Sequence, residues 1–263
     1  MIFTQLIKAN LKTSYLGHDI QYYQRLPSTN LEGFELIDTN NTSDGTLIIT
    51  DQQFQGKGTK GRSWYASPGK SITFSVLIKP NISVKKSGFL ALATGIAVSE
   101  AIKRFGLSPT LKWPNDILLA RKKCGGILLQ TRVRHDMIIW GIIGVGINVN
   151  EQKIELPEEL QSNATTIFTE KGSPIQRELL IAWILNSLEP FINMIKNGEI
   201  DLVKKTWLTL CDHLEEPVRF KLKGANMSGN FWGINQNGSA LIKTEDGNIV
   251  VSADEISLKF SRA

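Results

Sequence analysis

Three glycines and three cations share seven consecutive positions, Gly56-Lys57-Gly58-Thr59-Lys60-Gly61-Arg62, directly downstream of a strand-like run from Thr46 to Thr50. Residues of these types at this spacing suit anion binding. Glycines let backbone N–H groups converge without Cβ interference, and the cations add charge around the concavity. The spacing also reads G-x-G-x-x-G, yet a dinucleotide fingerprint opens a helix at its last glycine and sets an acid about twenty residues further on. Here Gly61 leads into Arg62-Ser63-Trp64-Tyr65-Ala66-Ser67-Pro68-Gly69, which cannot continue as a helix, and then into the strand-like Ile72 to Ile78. A Walker A loop is excluded as well, because Trp64 stands where Gly69-Lys70-Ser71 would need its first glycine. An anion cradle between two strands remains, with an exposed basic hairpin as the plainer reading.

Lys112-Trp113-Pro114-Asn115-Asp116 is a second dense group, in which Pro114 fixes a turn and biases Trp113 toward extended backbone. It reads equally as an ordinary Pro-Asn-Asp turn beside a surface lysine. Lys122-Lys123-Cys124-Gly125-Gly126-Ile127-Leu128 puts lysines at the entrance of a strand whose paired glycines suggest close approach by backbone or ligand, or else a basic hairpin tip. Gly141-Ile142-Ile143-Gly144-Val145-Gly146-Ile147-Asn148 would let a strand lie flat against something and end on a side-chain amide. Together these segments have many cations, few acids and no nucleophile. His18, His135 and His213 fall in unrelated contexts and are expected at the surface; Trp140, Trp183 and Trp207 are expected in the core, and Trp64 is the tryptophan assigned to a ligand.

The elements that must position these groups follow from periodicity. Ile20 to Arg25 and Thr46 to Thr50 read as strands separated by a polar segment through Pro27-Ser28-Thr29-Asn30 and a turn at 40–45. Ser87 to Phe105 carries a broad apolar face with Gly106 as its stop, a core helix. Thr110 to Trp113, Ile117 to Leu119, Gly126 to Thr131 and Met137 to Asn148 then form a meander, giving an α+β arrangement. Pro174 to Leu188 is predicted as an amphipathic helix that Pro190 bends or ends, and Ile200 to Leu210 as another. From Glu216 onward, short alternating stretches among Gly224, Gly229, Gly233, Gly238 and Gly247 suit a small β-barrel of about fifty residues. The expected division is 1–214 and 215–263.

The 263 residues carry a formal charge of +5, which suits an anionic small molecule or acidic protein as well as nucleic acid. No apolar run reads as membrane-spanning and no secretion signal is evident at Met1 to Asn10. The two cysteines, Cys124 and Cys211, lack metal-ligand spacing, so a cytoplasmic protein is expected.

Ser28-Thr29-Asn30, Gln53, G-K-G-T-K-G-R-S-W at 56–64, K-W-P-N-D at 112–116, K-C-G-G-I-L at 123–128 and G-V-G-I-N at 144–148, in that order, resemble the biotin protein ligases. The likeness spans nearly the whole chain, since Glu216 to Leu258, ending Asp254-Glu255-Ile256-Ser257-Leu258, is similar to that family's C-terminal SH3-like barrel. It implies a mixed, largely antiparallel central sheet packed with helices, like that of class II aminoacyl-tRNA synthetases. It also implies a two-step reaction: biotin and ATP, with Mg2+ held through the ATP phosphates, give biotinyl-5′-AMP, and biotin then passes to a lysine of a biotin carboxyl carrier protein. By motif, Lys123 would contact the biotin carboxylate and α-phosphate. Ser28, Thr29, Asn30 and Gln53 would bind the biotin head group, and Gly56, Lys57, Gly58, Thr59, Lys60 and Arg62 would close over the ligand. Trp64, Lys112, Asn115 and Asn148 would line the nucleotide side, while Asp116 would orient the incoming lysine or accept its proton.

The loop departs from the common family pattern G-R-G-R-x-G-R, having Lys57 and Thr59 in place of arginines. Lysine lacks the planar fork and threonine the charge, so weaker retention of the adenylate is expected. Only 27 residues precede Ser28, so neither the DNA-binding domain that some members carry nor specific DNA binding is expected. A lipoate ligase would need a different glycine signature. A nucleic-acid module would carry its cations on a helical stripe or aromatic platform, which this pattern lacks.

Overall fold

The computed structural model describes residues 1–222, 224–253, 255–256 and 258–260; Asp254 and Ser257 of the D-E-I-S-L segment lie outside the described residues. A short helix, α1 (Thr4–Ala9), precedes β1 (Ile20–Leu26), α2 (Thr29–Asp38) and β2 (Leu47–Gln53). After the glycine loop come β3 (Ile72–Ile78), β4 (Ile82–Ser83) and α3 (Gly88–Lys103). The meander follows as β5 (Thr110–Lys112), β6 (Asp116–Leu119), β7 (Lys122–Arg134) and β8 (Met137–Ile147). Four helices, α4 (Glu158–Gln161), α5 (Ile167–Lys171), α6 (Arg177–Asn197) and α7 (Ile200–Leu210), lead to the C-terminal strands.

The eight-stranded sheet runs β1-β2-β3-β8-β7-β6-β5, with β4 also paired to β8. β1 and β2 are parallel. The other pairings are antiparallel. Because strand side chains alternate, successive residues feed opposite faces. Leu47, Ile49, Val76, Ile78 and Ile143 enter the large core with α3 and α6, whereas Ile48, Leu77 and Ile142 meet Leu36 and Ile37 of α2. This two-sided burial explains why β3 is apolar almost throughout.

Helix α2 was not expected: its start is polar, and Gly33 interrupts its apolar pattern. Gly33 is what seats it, since a Cβ there would lie 2.8 Å from Leu77 Cδ2 and 3.2 Å from Ile142 Cγ2. Helix α6 runs past the expected bound at Leu188 and through Pro190 to Asn197, so of the two outcomes expected at the proline the end is excluded. Proline inside a helix costs about 3 kcal/mol, but burying each large apolar side chain returns roughly 1.5–3 kcal/mol. Phe191, Ile192 and Ile195 beyond the proline are all buried, so the continuation wins. Contrary to the hydropathy reading, α6 is long and apolar enough to cross a membrane by length and composition. Here twelve of its residues are buried, among the core that it shares with α3.

The C-terminal strands β9 (Pro217–Leu222), β10 (Ala225–Ile234), β11 (Ala240–Thr244), β12 (Gly247–Val251) and β13 (Lys259–Phe260) form a second antiparallel sheet, ordered β12-β11-β10-β9-β13. It meets the first sheet's side of the molecule through one buried hydrogen bond and an exposed cluster of ion pairs. Trp113 Nε1 donates to Gly238 O at 3.0 Å, and Arg121 pairs with Asp212 and Glu216, each at 2.9 Å. His213 lies in this junction and is buried, not at the surface, its ring 4.3 Å from that of Phe231 and tilted 47° to it.

Candidate active site

A cavity of about 240 Å3 opens on the first sheet, where α2, the glycine loop, the β5–β6 turn and the ends of β7 and β8 meet. Ser28, Thr29, Asn30 and Gln53 line its polar end. Ser28 to Asn30 are buried at the start of α2, which follows β1 after only two residues, so the sheet fixes their position. Thr29 N donates to Gln53 Oε1 at 2.9 Å, joining the helix start to the end of β2.

Lys57, Gly58, Thr59, Arg62 and Trp64 also line the cavity. The loop is a small hairpin with Lys60 and Gly61 in left-handed backbone at its tip. Part of its backbone N–H complement is taken up within the hairpin. Gly58 N donates to Arg62 O and Trp64 N to Gly56 O, so the hairpin uses these groups internally. Arg62 Nη2 donates to Thr59 Oγ1 at 3.0 Å.

Lys123 lies on the wall between these ends. Its Nζ is 2.5 Å from Asp116 Oδ1 and 5.7 Å from the Trp64 ring centroid. Backbone bonds on both sides of Lys123, from its N to Asn163 O and from Thr165 N to its O, hold the lysine in place. Asn115 Nδ2 donates to Ile127 O at 2.6 Å, and Asn148 Nδ2 to Thr165 O at 3.0 Å; both residues line the cavity. The glycines supply room. A Cβ on Gly144 would sit 2.2 Å from Asn30 Oδ1, and one on Gly146 2.4 Å from Trp64 Cε2.

Four sequence-predicted positions, Gly56, Lys60, Lys112 and Asp116, do not line the cavity. Gly56 is buried against the Trp64 carbonyl, where a Cβ would meet the oxygen at 2.4 Å. Lys112 faces Asp116 across the β5–β6 pair and is near enough to His213 to act on its titration. Asp116 reaches the site through Lys123. Sequence reasoning missed Ser75, a polar residue in the apolar run of β3, and Gln130 on β7; both hydrogen-bond to Asn30. The signal for Ser75 was its type, a hydroxyl between Phe74 and Val76. Cys124, beside Lys123, is buried and its thiol is pushed well up by desolvation, so it is no nucleophile at neutral pH.

Among the described residues there is no group of three or more His, Cys, Asp or Glu that could hold a metal. A site with a polar floor, one centrally held lysine and a cationic hairpin suits the joining of a small acid to a polyphosphate, in which cations offset the charge.

A family model for the biotin/lipoate A/B protein ligase family matches residues 22–148. The bifunctional ligase/repressor BirA of Bacillus subtilis is 31% identical over 253 residues, which cover 96% of this chain and 78% of that relative. The chain belongs to the biotin protein ligase family. The biotin–acetyl-CoA-carboxylase ligase of Mycobacterium tuberculosis is 29% identical over 81% of this ligase and 79% of its own length. In three dimensions the ligase is similar to the biotin protein ligase of Aquifex aeolicus solved with biotin and ATP, with a TM-score of 0.79 and 29% identity, covering 93% of this chain and all of that one.

Proposed function

We propose that this ligase joins biotin to ATP and transfers the biotinyl group to one lysine of a biotin carboxyl carrier protein, with the following residues in the named roles. In the first step a biotin carboxylate oxygen bonds to the α-phosphorus as the bond to pyrophosphate breaks. In the second, the carrier lysine nitrogen attacks the acyl carbon and AMP leaves. Lys123 carries the reading. Of the described lysines lining the cavity it is the one held on the wall between the polar floor and the loop, where a carboxylate and an α-phosphate would meet.

Thr29, Ser28, Asn30 and Gln53 would hold the biotin head group, since satisfied polar groups at the closed end of a pocket fix orientation. Lys57, Thr59 and Arg62 would cover the phosphates, with Trp64, Asn115 and Asn148 toward the nucleotide. Asp116 would hold Lys123 until the anionic substrates compete for it. Mg2+ would arrive on the ATP phosphates and neutralise part of their charge. Residues 1–214 would form the catalytic unit and 215–263 an SH3-like barrel, a reading supported by the five-stranded antiparallel order of the second sheet. The unpaired state of both cysteines supports a cytoplasmic setting.

Biotin-dependent exchange of labelled pyrophosphate into ATP tests the reading, with lipoate as the control acid. Exchange with biotin alone, reduced by at least about a hundredfold in Lys123→Ala, is the expected result for a lost charge-assisted contact in the transition state. Exchange unaffected by that substitution would remove Lys123 from the first step.

A further inference from the structure

The geometry points to Ser75 as a positioning residue that fixes the Thr29 hydroxyl as a hydrogen-bond acceptor, so that the site selects a head group presenting an N–H there. This deepens the biotin reading and rests on it. Ser75 is fully buried behind the cavity and does not line it. Its Oγ lies 2.7 Å from both Thr29 Oγ1 and Asn30 Oδ1.

Proton counting leaves one arrangement. Asn30 Nδ2 is 3.3 Å from the Leu128 carbonyl and 2.9 Å from Gln130 Oε1. A carbonyl only accepts, so the Asn30 nitrogen must face Leu128 and the Asn30 oxygen must face Ser75. That oxygen cannot donate, so the one Ser75 proton goes to it. A Ser75 donation to Thr29 would leave the 2.7 Å Ser75–Asn30 contact with no proton between two oxygens, so with the Ser75 proton on Asn30 the 2.7 Å contact between the hydroxyls takes the Thr29 proton. Gln53 Oε1, which accepts the Thr29 backbone N–H at 2.9 Å, lies 3.4 Å from Thr29 Oγ1, beyond the ordinary O–H···O range, and loses the Thr29 proton to the 2.7 Å contact with Ser75. With its proton turned inward, the Thr29 hydroxyl offers only lone pairs to the cavity. A head group placing an oxygen there would set lone pair against lone pair, whereas a cyclic urea N–H completes the chain.

Equilibrium binding of biotin and of the two cyclic carbamates, each with one ring N–H replaced by oxygen, tests this in wild type, Ser75→Ala and Thr29→Val. Wild type should bind biotin roughly ten- to a hundredfold more tightly than one of the carbamates. In Ser75→Ala the Thr29 proton is free to turn outward, and that ratio should fall to within about threefold while melting stays cooperative. Thr29→Val, which keeps the shape and removes the acceptor, should show the same loss of ratio and serves if Ser75→Ala does not fold. Equal weakening of all three ligands with the ratio unchanged would mean that Ser75 supports structure only and would overturn the inference. Wild type that binds biotin but rejects neither carbamate overturns it as well while leaving the biotin reading intact. Wild type that binds none of the three overturns both.

Discussion

Lys123 is held in place before any substrate arrives, between the Asp116 carboxylate and the Trp64 ring. The resemblance gave Asp116 the incoming lysine to orient or to deprotonate, and its contact with Lys123 adds a further role, the positioning of that residue. If it positions Lys123, Asp116→Asn should slow pyrophosphate exchange and transfer to the carrier alike, by about tenfold for the loss of a charged hydrogen bond. If it accepts the proton of the incoming lysine, exchange should stay intact and single-turnover transfer alone should fall; the geometry favours the first outcome. A second residue-scale prediction concerns Thr59, where the resemblance would put an arginine and which accepts from Arg62 here. A charge-assisted bond contributes about 1.5–3 kcal/mol, so Thr59→Arg should slow adenylate release by about ten- to a hundredfold. Equal release rates from the two proteins would show that Lys57, Lys60 and Arg62 already supply that grip.

At the scale of elements, β8 makes the site possible by what it lacks. An added Cβ on Gly146 would lie 2.4–2.8 Å from three indole atoms of Trp64, too close for any real contact, so Gly146→Ala must displace the ring. The KM for ATP should rise about tenfold, and combining Gly146→Ala with Trp64→Ala should add little to either alone, because both remove the same contact. Fully additive effects would place the Gly146 contribution elsewhere. This strand was legible in sequence as G-V-G-I-N, as were the meander, α3 and the bounds of α7, because their period and stop residues agree with their packing. What escaped was set by tertiary contacts. The segment through Pro27-Ser28-Thr29-Asn30 read only as polar, yet α2 begins in it and meets the sheet at Gly33; at Pro190, where a bend or an end was expected, buried residues beyond the proline exclude the end. Glycine spacing in the loop did not foretell that Gly58 and Trp64 give their amides to the hairpin's own carbonyls. Ser75 and Gln130 matter through their bonds to a residue a long way off in sequence, which local pattern does not carry.

At the scale of the whole molecule, the two sheets meet at a junction that includes a titratable group able to report on their union. His213 is buried between Trp207 and Phe231, its Nδ1 is 3.5 Å from Cys211 Sγ, and Lys112, Arg121 and Glu216 act on it. Desolvation first, and then the neighbouring Lys112 charge, lower its pKa to about 3, against an unfolded value near 6.5. Between those values the unfolded chain binds a proton that the folded chain refuses, so this histidine makes stability fall as pH falls. Above about pH 6.5 both forms are neutral and its contribution is flat. Between pH 7 and pH 5 the expected loss is about 2 kcal/mol, small beside the folding of a large domain but large beside its net stability. Glu151, whose carboxyl is raised by burial, acts in the opposite direction, so the wild-type curve alone does not isolate the histidine. His213→Phe does: the ring keeps its aromatic neighbours and cannot titrate, and urea midpoints should then lose about 2 kcal/mol less than wild type over the same interval. A matching slope in the two proteins would mean that His213 takes up its proton without leaving the fold, and that the junction opens to water before the sheets unfold.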